Sequence, residues 1–298
     1  LAKTERTFEV IGLVQAEMGK TQNGCLSFSN HEYHIINVVM KWFEKELNIP
    51  HSAWKWSIKV NMQEPIEKAY KNEVEKKVID HWLDKIKITI EQAYPKHVTY
   101  IKDTQKKEIS YYDYGTLVLE HKRNLFSQVV KELVRKMTYE KILTYDLPFI
   151  RGFMRGIIAG EGCVEVGRKD KKYRVHISVT KEQEKEIYYQ SLKLLNIGSI
   201  KYPGDKLVVS KRRNNVQLLT KRLMTLSPSK YAKFCYMMKL YPAMRQETDY
   251  FKAKGKNVWN RIPQEKIDKI TDFYRRGLTR TADIAESLGI SAIKVNRV

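Results

Sequence analysis

Val10-Ile11-Gly12-Leu13-Val14-Gln15-Ala16-Glu17 and Met154-Arg155-Gly156-Ile157-Ile158-Ala159-Gly160-Glu161 are two largely apolar segments, 144 residues apart, that each pass through a glycine and end on a lone glutamate. A small residue recurs at a four-residue step in each, Gly12 with Ala16 and Gly156 with Gly160. In a helix both fall on one face and leave a strip free of bulky side chains. Two such strips let two helix backbones approach closely, and dispersion then acts between them. If the helices pair side by side in parallel, Glu17 and Glu161 meet at their C-terminal ends. A helix C-terminus carries partial negative charge and two carboxylates repel, so that meeting calls for a proton or a cation. Hard oxygen ligands with room for water suit Mg²⁺. Two ordinary helices with solvated terminal glutamates are the competing reading, but that reading leaves the duplication unexplained.

The paired segments resemble the two motifs of a single-chain LAGLIDADG homing endonuclease. Gly12 and Gly156 stand at that motif's first glycine, Ala16 and Gly160 at its second alanine, and Glu17 and Glu161 at its final, metal-binding acid. Met18 replaces the motif's last glycine, with Gly19 one step later, whereas Gly162 keeps it; Gln15 and Ala159 replace the first aspartate. The resemblance spans about residues 5 to 245. It implies an α+β fold of two pseudo-symmetric αββαββα-type halves whose antiparallel sheets saddle double-stranded DNA over a long asymmetric target. It further implies a monomer that cleaves both strands to leave short 3′ overhangs, encoded in an intron. The implied cofactor is Mg²⁺, two or more divalent ions held by Glu17 and Glu161, with Mn²⁺ or Ca²⁺ substituting in binding. Peripheral polar residues that order water are implied as well. Asn30 and Lys181 are the residues proposed at matching strand ends, and Lys211 with Lys122 or His121 as the basic group that stabilises developing phosphate charge.

Composition points to nucleic acid independently. Lys and Arg number 55 against 34 Asp and Glu, a net charge of +21 and a pI near 9.6. Phosphate is the natural sink for such an excess. A Lys- and Glu-rich surface of the thermophile kind explains many charges but not their one-sidedness. No apolar run reaches membrane-spanning length and no signal-peptide pattern follows Leu1, so no membrane partner and a cytoplasmic setting are expected, nucleoid-associated in a prokaryote. Cys25, Cys163 and Cys235 are too scattered for a zinc set and are expected as reduced thiols.

The halves are expected over 1–140 and 147–245, joined by Met137 to Pro148. Aligning Asn30 with Lys181 puts them 13 and 20 residues beyond their acids, a first hairpin shorter by 7. Aligning Val118–Asn124 with Val208–Asn214 then leaves the first half an insertion of about 61 residues. Ile66, Tyr70, Val74, Val78, Trp82, Ile86 and Ile90 recur within it at helical spacing, which predicts a helical insertion over about 63–95.

Two stretches alternate cleanly enough to read as strands with one wet, basic face. In the first, Lys55, Ser57, Lys59 and Asn61 oppose Trp54, Trp56, Ile58 and Val60; in the second, Arg174, His176 and Ser178 oppose Val175, Ile177 and Val179. With Arg168 and Lys169 these polar residues are the expected DNA contacts. His176 reads as a groove-facing or solvated polar residue and not as a metal ligand, since no second His or Cys stands at ligand spacing. Residues 260–298 read as a separate helix-turn-helix module. Ala285 sits at the crossing, Gly289 in the turn, and a second helix over Ala292–Val298 offers Lys294, Asn296 and Arg297 to the major groove. Two other functions stay open: a cleavage-silent transcription regulator built on the same surfaces, and an intron RNA-splicing maturase.

Overall fold

The computed structural model describes residues 2–18, 25–62, 68–102, 114–167, 172–201, 204–240, 264–275, 281–289 and 295. They form two compact units, Leu1–Lys239 and Leu240–Val298.

The first unit begins with α1 (Glu5–Glu17), whose N-terminus is capped by the Thr4 hydroxyl accepting from the Thr7 amide. Then come β1 (Leu26–Asn30), α2 (Tyr33–Leu47), β2 (Lys55–Met62), α3 (Lys68–Lys85), β3 (Ala93–Lys102), β4 (Thr116–His121) and α4 (Asn124–Lys136). The second half runs α5 (Leu147–Glu161), β5 (Gly162–Gly167), β6 (Lys172–Ser178), α6 (Glu182–Leu194), β7 (Ile200–Lys201), β8 (Lys206–Val209), α7 (Arg212–Thr220) and α8 (228–240). The sheets are ordered β1-β4-β2-β3 and β5-β6-β8-β7, antiparallel throughout except for the β2–β3 pair. This is the expected α+β architecture, with β1, β4 and β2 answering to β6, β8 and β7.

The ladders correct the internal alignment. Phe28 pairs with Leu119 as Ile177 pairs with Leu207, and Met18 bridges to Phe28 where Gly162 pairs with Ile177. The first hairpin spans ten residues and the second fifteen, so the difference is five and not seven. Asn30 therefore corresponds to Val179, while Lys181 corresponds to Glu32, each immediately preceding a helix. Lys211 likewise corresponds to Arg123. The sequence alignment slipped by two at both places. A two-residue slip keeps every side chain on its own face, so alternation cannot detect it. The two slips cancel in the insertion, which stays at 61 residues. A second repeat, Leu47-Asn48-Ile49 with Leu195-Asn196-Ile197, closes α2 and α6 with asparagines at φ 54° and 56°; its offset of 148 residues is one less than the 149 between Phe28 and Ile177, so α6 reaches its stop one residue sooner than α2.

The insertion is not one helix over 63–95. α3 stops at Lys85, Ile90–Gln92 is a single 3₁₀ turn closed by a Thr89–Gln92 capping box, and β3 follows, parallel to β2. Ile66 lies outside the described residues, and Ile90, the last of the predicted stripe, is 47% exposed. β3 is an edge strand, where Pro95 is tolerated because no ladder needs its missing N–H. The connection between halves is ordered too: α4 passes into a π-helical turn (Met137–Lys141) and a 3₁₀ turn (Ile142–Thr144) before α5, which takes Pro148 in its first turn.

The second unit contains α9 (Gln264–Arg275) and α10 (Thr281–Ser287). Ile270, Ile284, Ala285 and Val295 form its core, with Phe273 and Leu288 packed against it. Gly289 follows α10 at φ +60°, a conformation that favours glycine. Apart from Val295, the predicted second helix over Ala292–Val298, with Lys294, Asn296 and Arg297, lies outside the described residues. No helix among the described residues is long and apolar enough to cross a membrane.

Candidate active site

α1 and α5 pack in parallel with their backbones in contact. A Cβ on Gly12 would stand 2.2 Å from the Phe153 carbonyl oxygen, one on Gly156 2.1 Å from that of Glu9, and one on Gly160 2.5 Å from Ala16 Cβ. Only glycine fits at such separations. Gly152 is a further contact of this kind, 2.3 Å from the Glu5 carbonyl oxygen, one more four-residue step along α5. Ion pairs fix the register at the opposite end. The Arg151 guanidinium holds Glu5 through two bonds of 2.9 and 2.6 Å, and Arg155 reaches Glu5 at 2.8 Å and Glu9 at 3.4 Å.

The two acids therefore come together at the C-terminal ends. Asn30 Nδ2 donates to Glu17 Oε1 at 3.0 Å, and Asn30 Oδ1 accepts from the Glu32 amide at 2.8 Å, which fixes the side chain's orientation. Burial pushes the Glu17 carboxyl up to about 7; the Lys230 ammonium and the Asn30 bond work against that rise, and the Glu161 carboxylate adds to it. Lys230, which the sequence reading missed, projects from the first turn of α8. Its Nζ donates to the carbonyl oxygens of Ala159 and of Gly160 (2.6 Å), with Ile158 at 3.5 Å, at the last turn of α5. Burial lowers its pKa, while Glu17, Glu32 and Glu161 oppose the fall.

The other proposed site residues have contacts of their own. Lys181 Nζ pairs with Glu184 at 3.2 Å and donates to the Tyr139 hydroxyl at 3.4 Å. Glu184 also accepts from Tyr139 and, at 3.2 Å, from Gln15 Nε2. Lys122 Nζ lies over the Tyr94 ring, 4.6 Å from its centroid, and Lys211 is exposed just before α7. His121 is buried among Trp54 and Phe126, and burial lowers its pKa. That environment favours the neutral ring, so it is a poor choice for a cationic group.

The donor set suits a hard divalent ion: two carboxylates at helix C-termini, one of them disfavoured as an anion by burial. Among the described residues no cluster of three or more His, Cys, Asp or Glu side chains stands ready to ligate metal. An ion held by Glu17 and Glu161 must therefore complete its shell from carbonyls, water or phosphate.

The raised Glu17 pKa has a measurable consequence in metal-free buffer. The folded carboxyl keeps its proton up to about 7, against 4.5 ordinarily. Its contribution to stability is thus fully present below pH 4.5 and is lost as pH rises through 7, a loss on the order of 3 kcal/mol. Glu17→Gln has no such proton. Its unfolding free energy relative to the parent should climb from pH 4.5 to about 7.5 and then level off; parallel profiles would show that Glu17 does not titrate there.

On the sheets, Lys55 and Lys59 are exposed and Ser57 half-buried, and Lys55 Nζ donates to the Glu91 carbonyl at 3.2 Å. Asn61 lies in β2 but its side chain is outside the described residues, as are Arg168 and Lys169 entirely. The second sheet departs from expectation. His176 is 8% exposed and so not solvated, with Nδ1 3.2 Å from Glu165, whose other oxygen pairs with Arg174. Cross-strand neighbours explain this, since Cys163 and Val208 flank His176 on that face and Glu165 sits opposite Arg174. Ser178 is half-buried, opposite Lys206.

Comparison with solved structures returns LAGLIDADG domains. The chain is similar to the N-terminal LAGLIDADG domain of DUF199/WhiA, at 14% identity over 74% of this chain and 83% of that one, with a TM-score of 0.38. It is also similar to I-DmoI in complex with DNA and Ca, at 12% identity over 76% and 96% of the two chains, TM-score 0.42. Full-length DUF199/WhiA from Thermatoga maritima matches at 12% identity over 98% and 88%, TM-score 0.38. No protein-family model matches the chain, and no curated protein does. At these scores the overlays assign no residue and no activity.

Proposed function

We propose that the chain is a site-specific endonuclease of double-stranded DNA that hydrolyses phosphodiesters with divalent metal ions, a homing endonuclease of the LAGLIDADG kind. The observation that carries this reading is the meeting of Glu17 and Glu161 at the ends of two parallel helices whose backbones touch. Mg²⁺ held by these two carboxylates supplies an activated water and stabilises the leaving oxygen. The protein's part is position. The glycine contacts and the Arg151 and Arg155 ion pairs set where the acids stand, Asn30 orients Glu17, and the open sheet faces, with Lys55 and Lys59, hold the DNA backbone. The second unit adds a helix-turn-helix to this grip, with Gly289 as its turn and Lys294, Asn296 and Arg297 as its readers.

One observation favours a second reading, a DNA-binding regulator that does not cleave: the Lys230 ammonium already lies beside the acids. Exposing a randomised plasmid library to the protein with Mg²⁺ separates the two. Linearised plasmids sharing one sequence support the nuclease. Sequence-selective retention of intact plasmid supports the regulator.

A further inference from the structure

Lys230 stands at the third position of α8, where the Ser227 hydroxyl caps the helix by accepting from the Lys230 amide at 3.3 Å. An ammonium there faces the positive end of its own helix dipole, and it is largely removed from water. Both effects disfavour a lysine. What offsets them lies on α5: three carbonyl oxygens of its last turn, at its negative end, match the three donors of the ammonium. The segment carrying Lys230 is itself clamped across the pseudo-symmetric halves. The buried Glu32 carboxylate, just before α2, accepts from the hydroxyls of Ser227 and Ser229 (2.7 Å) and from the Ser229 amide at 3.5 Å. The segment that follows α4 in the first half docks differently, through the hydroxyls of Thr138 on Gln15 (3.4 Å) and of Tyr139 on Glu184, where the Lys181 ammonium pairs as well.

We propose that Lys230 is a tethered counter-ion of the acid pair: a cation built into the chain, held in place by Glu32, Ser227 and Ser229, that lets Glu17 and Glu161 stand together without a divalent ion. The idea rests on the reading of Glu17 and Glu161 as the acid pair. It makes the two sides of the site unequal, because the carbonyls of Ala159 and Gly160 on the α5 side are already engaged. Lys230 acts here as a positioning residue, and its effect is visible without any DNA.

The experiment is a double-mutant cycle read by thermal unfolding at alkaline pH, well above the range in which Glu17 keeps its proton, in chelator and in millimolar Ca²⁺, using the full chain, Lys230→Met, Glu17→Gln and the double variant. In chelator, Lys230→Met should melt about 10 °C lower, as expected for a buried carboxylate stripped of its cation. The same lysine substitution in the Glu17→Gln background should cost a small fraction of that, because no uncompensated charge remains. Ca²⁺ should raise the melting temperature of Lys230→Met far more than that of the parent. If Lys230→Met fails to fold while the double variant folds, the proposal stands. Equal losses in both backgrounds, or failure of both to fold, would overturn it and leave Lys230 as a cap on α5. Rescue by Glu17→Gln without any Ca²⁺ effect keeps the counter-ion and rejects the metal-binding reading of the acids, so the two can fail separately.

Discussion

Glu17→Gln and Glu161→Gln, each made alone, are expected to lower cleavage of the cognate target in Mg²⁺ by at least roughly a thousandfold, about 4 kcal/mol of barrier. The amide matches the acid in shape but offers a metal ion no negative charge. Glu17 and Glu161 are the acids that the ends of α1 and α5 bring together, so losing either takes a charged ligand from an ion held there. DNA affinity measured in chelator should hold within a few-fold or tighten, since a carboxylate facing a phosphate is a repulsive contact. Cleavage and binding falling together would point to a folding defect and away from the assigned role, and a Gln variant that still cuts at the parent rate would remove that residue from the metal site.

Gly156→Ala is the substitution expected to cost most in stability. The new methyl would meet the Glu9 carbonyl oxygen at 2.1 Å, the Leu13 nitrogen at 2.6 Å and the Gly12 carbonyl carbon at 2.9 Å, all of them backbone. No side chain can swing aside, so the helices must separate along their whole contact, which breaks the close packing and shifts both acids. A loss of at least about 3 kcal/mol is expected. Gly204→Ala supplies the comparison: nothing lies within 4 Å of its Cβ position, and only its φ of +87° resists substitution, at about 1 kcal/mol. Denaturant midpoints for the two variants, at unchanged m-value, measure the difference.

What the sequence made legible was local. Two small residues on one helical face and an acid directly after them are complete within eight positions, and they point to the parallel pair and to the meeting of Glu17 and Glu161. The register between halves was not legible from alternation, because a strand repeats every two residues and a slip of two looks the same. β3 was hidden because Pro95 speaks against a strand and because the apolar stripe of α3 runs on past Lys85 to Ile90. The burial of His176 depends on partners across the sheet, Cys163 and Val208, that no spacing along the chain identifies. Lys230 left one trace, a Ser-Pro-Ser-Lys helix start that puts a cation at the wrong end of its own helix. That oddity becomes meaningful only when the end of α5 is seen beside it.

Mapping both ends of the DNA cut by the parent protein in Mg²⁺ tests most directly whether Glu17 and Glu161 act as one pair. Acids this close together reach scissile phosphates that face each other across one minor groove, and in right-handed DNA such phosphates are offset in the 3′ direction. One cut on each strand, at a single fixed stagger leaving short 3′ overhangs, is the expected result. Cuts confined to one strand, blunt ends or a variable stagger would contradict a single paired site.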